Sequence, residues 1–174
     1  MVANQSMTDK RRASTLERRL RFVSAASSRT PGSRIDVRVT LALQDPEGSA
    51  ESESRYEGEA SGVGDVILEP RLAVEATLAA IAEATGDPEY FRLVGIKVVH
   101  AFDTRVVLVC LRTSEDQSAQ VVGAVPLRGA MARTAALAAL DATNRLVAML
   151  LHQGEHGAAD GKDDETENET VGEV

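Results

Sequence analysis

A chain of 174 residues with a formal net charge of −8 holds one domain of ordinary size plus appendages, not two sizeable domains. Hydrophobic residues make up 43% of it but aromatics only 3%, with no Trp, so the core must come from Val, Leu, Ile and close backbone approach over Ala. The acidic balance disfavours non-specific nucleic-acid binding by the molecule as a whole, and no unbroken apolar run approaches the roughly 18 residues of a membrane span.

Charge is placed unevenly. Residues 1–33 carry seven basic and two acidic side chains, residues 34–151 carry 11 and 17, and residues 152–174 carry one and eight. This pattern divides the chain into a partly disordered basic arm (1–33), a single domain (34–151) and an acidic disordered tail (152–174). One cysteine, Cys110, excludes an intrachain disulfide and fits a reducing compartment. The N-terminus has no apolar segment of the secretory kind, so a cytoplasmic location is expected.

In the arm, Ser14-Thr15-Leu16-Glu17 offers a helix start, and Leu16, Leu20 and Val23 share one helical face among five arginines. A short basic helix is expected, either a solvated arm or a contact for an anionic partner such as RNA. Ser27–Ser33, with Pro31-Gly32, reads as a linker. Arg34–Gln44 alternates Ile35, Val37, Val39, Leu41 and Leu43 with Asp36, Arg38 and Thr40, the pattern of a half-buried strand. A second strand follows over Ser54–Gly62, after a polar loop.

Glu69-Pro70 opens a helix over residues 71–85 with Val74, Leu78 and Ile81 on one face and Gly86 as its stop. Phe91–Phe102 and Arg105–Thr113 are apolar almost without interruption and should form a central hairpin joined at Asp103-Thr104. Gln120–Leu127 is the fifth strand, limited by Pro126. A long Ala-rich helix closes the domain, with Leu137, Leu140, Asn144, Val147 and Leu151 in one stripe.

The expected fold is therefore α+β: an antiparallel sheet of about five strands in the order ββαβββα, with both helices packed on one face. Ala76–Ile81 aligns with Ala135–Leu140, which suggests two related halves.

Chemistry-bearing residues are sparse. The Gly62-x-Gly64-Asp65 loop before a helix start is either a structural turn or a receiver for an anion, without the third glycine or lysine of a nucleotide fingerprint. Asn144 in an apolar seam is either a register-fixing amide or part of a ligand site. His100 lies near Asp103 with no nucleophile at a recognisable spacing, and His152-x-x-x-His156 lacks a third ligand. Catalysis, a cofactor and a metal are not expected.

The run from Val122-Gly123 through Ala139-Leu140-Asp141-Ala142-Thr143-Asn144-Arg145-Leu146 resembles the end of the C-terminal regulatory domain of 2-isopropylmalate and citramalate synthases. Gly62-Val63-Gly64-Asp65 with its Ala-rich helix resembles that family's first loop and helix, and Ala101-Phe102-Asp103 through Leu111 its turn and following strand. The resemblance spans residues 34–151. It departs at Asp65-Val66-Ile67-Leu68, where the family has Pro-Val-Asp-Ala, and at Pro126 and Arg128 in the second loop. The resemblance implies a homodimeric module whose loops bind a branched-chain amino acid or related metabolite, with Gly62, Gly64, Asp65, Gly123 and Asn144 at the site. The alternative is a structural or interaction protein that oligomerises and recruits protein partners through its charged ends.

Overall fold

The computed structural model describes residues 19–44, 53–65, 67–116 and 118–157, with side chains as far as His152 at the C-terminal end. The fold is α+β and contains one strand more than the sequence suggests. In chain order the elements are β1 (Arg19–Thr30), β2 (Arg34–Gln44), β3 (Ser54–Val63), α1 (Leu68–Thr85), β4 (Phe91–Ala101), β5 (Thr104–Thr113), β6 (Gln120–Pro126) and α2 (Met131–Gly157). The strands form two separate three-stranded antiparallel sheets, β1-β2-β3 and β4-β5-β6. This corrects the expected single five-stranded sheet: the molecule is two successive βββα units.

The basic arm is the second correction. From Arg19 it is not a helix but the edge strand of the first sheet, and Leu20 is only 2% exposed. Residues 1–18, with the expected helix start at Ser14, lie outside the described residues, as does the tail from residue 158. The last helix runs on to Gly157, past the expected end of order near Leu151.

Both units repeat the same devices. The first strand of each carries a β-bulge, between Phe22 and Ser24 in β1 and between Leu93 and Gly95 in β4, which adds local twist. The third strand of each carries a glycine pressed against its own helix. A Cβ on Gly58 would stand 1.9 Å from the Ala76 carbonyl oxygen and 2.5 Å from the Ala80 nitrogen. A Cβ on Gly123 would stand 1.9 Å from the Ala138 oxygen and 2.6 Å from the Ala142 nitrogen. Ala76 and Ala80 thus correspond to Ala138 and Ala142. The sequence alignment of the two helices is off by three residues, about one turn.

Helix carboxylates also bind the outer edges of both third strands. Glu83 Oε2 accepts the Glu57 N–H at 2.8 Å, and Asp141 Oδ2 accepts the Ala124 N–H at 2.9 Å. An edge amide held by a carboxylate is withdrawn from further pairing, which is a physical reason the two sheets stay separate.

The helices pack against one another, α1 on β2 and β3, and α2 on β5, β6 and also β1. The core is Val39, Leu41, Val74, Ile81, Val107, Val109, Leu111 and Val147 filled in with alanines from both helices. Buried Thr77 and Thr143 return their hydroxyls to the carbonyls of Ala73 and Ala139, so neither is left unsatisfied. Helix α2 is long and apolar enough over Met131–His152 to cross a membrane by length and composition, but half of that window is buried. Its alanines face α1 and the sheets, which accounts for its apolarity as that of a core helix.

Gly86 ends α1 at φ 75° with its N–H on the Ala82 carbonyl at 2.8 Å, the left-handed stop expected of it. The β4–β5 hairpin turns at Phe102-Asp103, one residue earlier than expected, with Phe102 at φ 53°. On the outer face of the first sheet, Glu53 lies between Arg21 and Arg55, and the hydrogen bond from Arg21 holds its carboxyl below the usual range.

Tyr90 closes the gap between α1 and β4, 5% exposed, edge-on to Phe91 at 4.7 Å, with its hydroxyl on Glu115 at 3.2 Å. Burial, then the Glu115 carboxylate, raises its pKa above the ordinary 10.0. The folded chain therefore holds this proton more tightly than the unfolded one. Its contribution is complete below the unfolded tyrosine pKa and is lost as pH rises through the folded value. We expect Tyr90→Phe to remove a late-ionising component from the absorbance titration and to weaken the alkaline fall in stability.

Candidate functional site

The glycine loop is built as a turn. Gly62 belongs to β3, and a Cβ there would lie 2.8 Å from Leu68 Cδ2. Gly64 donates its N–H to the Ser33 carbonyl at 3.1 Å, and Leu68 donates its N–H to the Asp65 carbonyl at 2.9 Å. These bonds tie the β1–β2 turn to the start of α1 and use backbone groups an anion would need. Asp65 is exposed, while Val63 and Ile67 stand 73% and 86% exposed beside it. Leu68 occupies the space over both glycines, so the loop offers an apolar rim and no anion cradle.

Gly123 does not line a site. It is buried in β6 beneath Ala138 and Ala142 of α2, leaving no room for a ligand. The same contact at Gly58, which sequence reasoning did not single out, shows that this glycine serves helix–sheet approach. The signal for both was present as an Ala-x-x-x-Ala pair following each glycine-bearing strand.

Asn144 is half-buried in α2, and its Oδ1 is buried with no hydrogen-bond partner among the described residues. An unmet buried acceptor costs about 1–3 kcal/mol. It is the one expected site residue with unmet polar capacity. We expect Asn144→Leu to raise stability by about 1 kcal/mol in urea unfolding; a loss of stability would show that the amide is satisfied in solution.

Two hollows among the described residues bear on a site. The larger, about 510 Å³, is a shallow groove on the outer face of the first sheet lined by Arg34, Asp36, Arg38, Glu59 and Ser61 among others. Its charges already meet within it: Arg34 Nε to Asp36 at 2.9 Å and Arg38 Nε to Glu59 at 2.6 Å. Exposed pairs of this kind are a solvated surface.

The smaller hollow, about 310 Å³, lies where β6 gives way to α2, lined by Val125, Pro126, Arg128, Arg133, Thr134 and Leu137. Leu127 donates its N–H to the Arg105 carbonyl at 2.7 Å and ties this loop to β5. Arg133 sits over the Phe22 ring, 5.8 Å from its centroid. Neither Arg128 nor Arg133 has a carboxylate partner among the described residues, and the first turn of α2 carries no acid. Two arginines and the first turns of α2 therefore border the hollow together with Val125 and Leu137. Arg128 was visible in the sequence only as a departure from the resembled family; Arg133, Thr134 and Leu137 required the fold.

His100 pairs with Arg105 across the hairpin at an exposed strand end, and no group of three His, Cys, Asp or Glu among the described residues is placed to hold a metal ion. The His156 side chain lies outside the described residues. Cys110 is half-buried on β5 with its Sγ 3.3 Å from Gln120 Oε1. Class is thus defined by architecture: a duplicated βββα unit with two central Ala-rich helices. No protein-family model and no curated protein matches the chain.

Proposed function

We propose that the protein is a non-catalytic regulatory or small-ligand-binding module that acts as a homodimer in the cytoplasm and senses a small apolar carboxylate, such as an amino acid or related metabolite. The observation that carries this reading is the hollow at the start of α2. Its two guanidinium groups suit a carboxylate, its helix N-terminus adds partial positive charge, and Val125 with Leu137 suits a short branched chain. The hollow is of the size that holds a small molecule.

Thermal shift against amino acids, branched 2-oxo acids and 2-hydroxy acids tests it, since a ligand of the native state raises the melting temperature. An apolar-chain carboxylate should stabilise the wild type and fail to stabilise Arg128→Ser and Arg133→Ser. No stabilisation by any member, or equal stabilisation of the variants, would remove the hollow as the site.

A further inference from the structure

The two βββα units act as controls for one another at the place where the third strand gives way to its helix. The glycine contacts match Ala76 and Ala80 of α1 with Ala138 and Ala142 of α2. Carried back toward the helix starts, the same correspondence sets Leu68, Arg71, Leu72 and Glu75 against Ala130, Arg133, Thr134 and Leu137. In the first unit this place is filled and neutral. Leu68 and Leu72 lie over the end of β3, their Cδ2 atoms 2.8 and 3.5 Å from where a Gly62 Cβ would stand. Glu75 offsets the charge of Arg71, with its Oε1 2.8 Å from the Arg71 Nε.

The second unit keeps the arginine and changes all three of its neighbours. Ala130 and Thr134 are smaller than the leucines they stand for, and a large-to-small exchange leaves a cavity wherever the surroundings do not collapse. The hollow of about 310 Å³ lies there, bordered by Thr134 itself. Leu137 puts hydrocarbon where Glu75 puts a carboxylate, so Arg133 has no acid one turn on and pairs with no other among the described residues. A further difference holds this arginine in place. Strand β1 packs on α2 whereas β4 barely reaches α1, and the Phe22 ring of β1 has its centroid 5.8 Å from the Arg133 guanidinium carbon. A ring at that distance attracts a cation without neutralising it.

We propose that the carboxylate of a bound ligand takes the place of the absent Glu75 group, that Leu137 selects an apolar monocarboxylate, and that Phe22 positions Arg133 to receive it. The inference rests on the ligand-binding reading and assigns the ligand's orientation. Its carboxylate lies on Arg133 and its short chain fills the space beside Val125 that the two smaller side chains leave. The first unit offers no second site of this kind, because Glu75 already occupies the equivalent place.

Isothermal titration of the full chain with isovalerate, and with isovaleramide as the same shape without charge, tests this. The wild type should bind one isovalerate per chain, and the amide about 10-fold or more weakly. Leu137→Glu rebuilds the ion pair of the first unit and should weaken isovalerate about 20-fold or more, whereas the uncharged Leu137→Gln should stay within about five-fold of wild type. Phe22→Leu should weaken it about three-fold and Phe22→Tyr restore it, which a purely structural role would not produce. Circular dichroism melts check folding. NMR of the arginine Nε–H groups needs no variant at position 137: isovalerate should shift the Arg133 signal and leave that of Arg71 unmoved. A wild type that binds neither isovalerate nor any carboxylate of the thermal-shift panel removes the ligand-binding reading itself. One that binds a panel carboxylate but not isovalerate refutes the apolar monocarboxylate and leaves the reading. Binding of isovalerate by Leu137→Glu as tight as by wild type, or an equal shift at Arg71, overturns the placement while the reading stands.

Discussion

Replacing Gly123 with alanine should unfold the domain or cost about 3 kcal/mol or more, and Gly58→Ala should do the same. A Cβ at either position would stand 1.9 Å from a helix carbonyl oxygen and within 2.6 Å of a helix nitrogen. Both obstacles are backbone, so no rotamer change relieves them. To restore ordinary contact the helix must rise off its sheet by about 1.5 Å, which opens the layer of Ala73, Ala76, Ala80, Ala135, Ala138 and Ala142. A layer of alanines has no long side chains with which to fill the gap, and overpacking of this kind lies at the severe end of single substitutions. Gly95→Ala supplies the control: nothing lies within 4 Å of its added Cβ, and its effect should stay within about 0.5 kcal/mol. Urea unfolding of the three variants decides it. Gly123→Ala or Gly58→Ala with near wild-type stability would show that the helices are not seated as described.

A chain that starts at Arg34 should lose cooperative unfolding, whereas one that starts at Arg19 retains the whole first sheet. The first removes β1, which pairs along β2 from Gln44 to Arg34. It would also bare the side of α2 that β1 covers and remove the Phe22 ring beneath Arg133. Leu20→Ala alone should cost about 2–4 kcal/mol, the usual range for a buried leucine with partial collapse of the site. Circular dichroism and urea melts of the two chains check this. A cooperative transition of unchanged midpoint in the shorter chain would mean that the domain begins near residue 34, as charge distribution alone suggests. The same result bears on partner studies, because removing residues 1–33 removes a structural strand along with the basic segment.

The bulge explains why β1 was hidden. Leu20 and Phe22 alternate correctly toward the core, but the extra residue Val23 shifts the phase, so that Ala25 and Ser27 take up the inward positions after it. Across that shift, Leu16, Leu20 and Val23 fall at helical spacing by coincidence, and five arginines complete the appearance of a basic amphipathic arm. No such shift interrupts β2, where Ile35, Val37, Val39 and Leu41 alternate in one register and are all buried. The candidate site was legible to a smaller degree. Gly62, Gly64 and Asp65 are indeed at a strand-to-helix loop, but Leu68 fills the space over the glycines. Gly123 is a packing contact. Asn144 alone keeps an unmet polar atom, and the hollow beside α2 draws on residues from a strand, a loop and a helix that no local pattern brings together.

The sequence by itself determined the α+β class, five of the six strands, both helices and the Gly86 stop. Each follows from periodicity, capping or composition read within about 20 residues. Only the tertiary structure decided that the strands divide into two sheets, that β1 belongs to the first, and that the helices correspond one turn away from their sequence alignment. Those features depend on which edge amides remain unpaired and how near two backbones can approach. Carboxylates of Glu83 and Asp141 each hold one edge amide of the strand beside them, a contact that bears on the first. The missing Cβ atoms of Gly58 and Gly123 settle the second, because only at a glycine can an Ala-faced helix come so close to a strand.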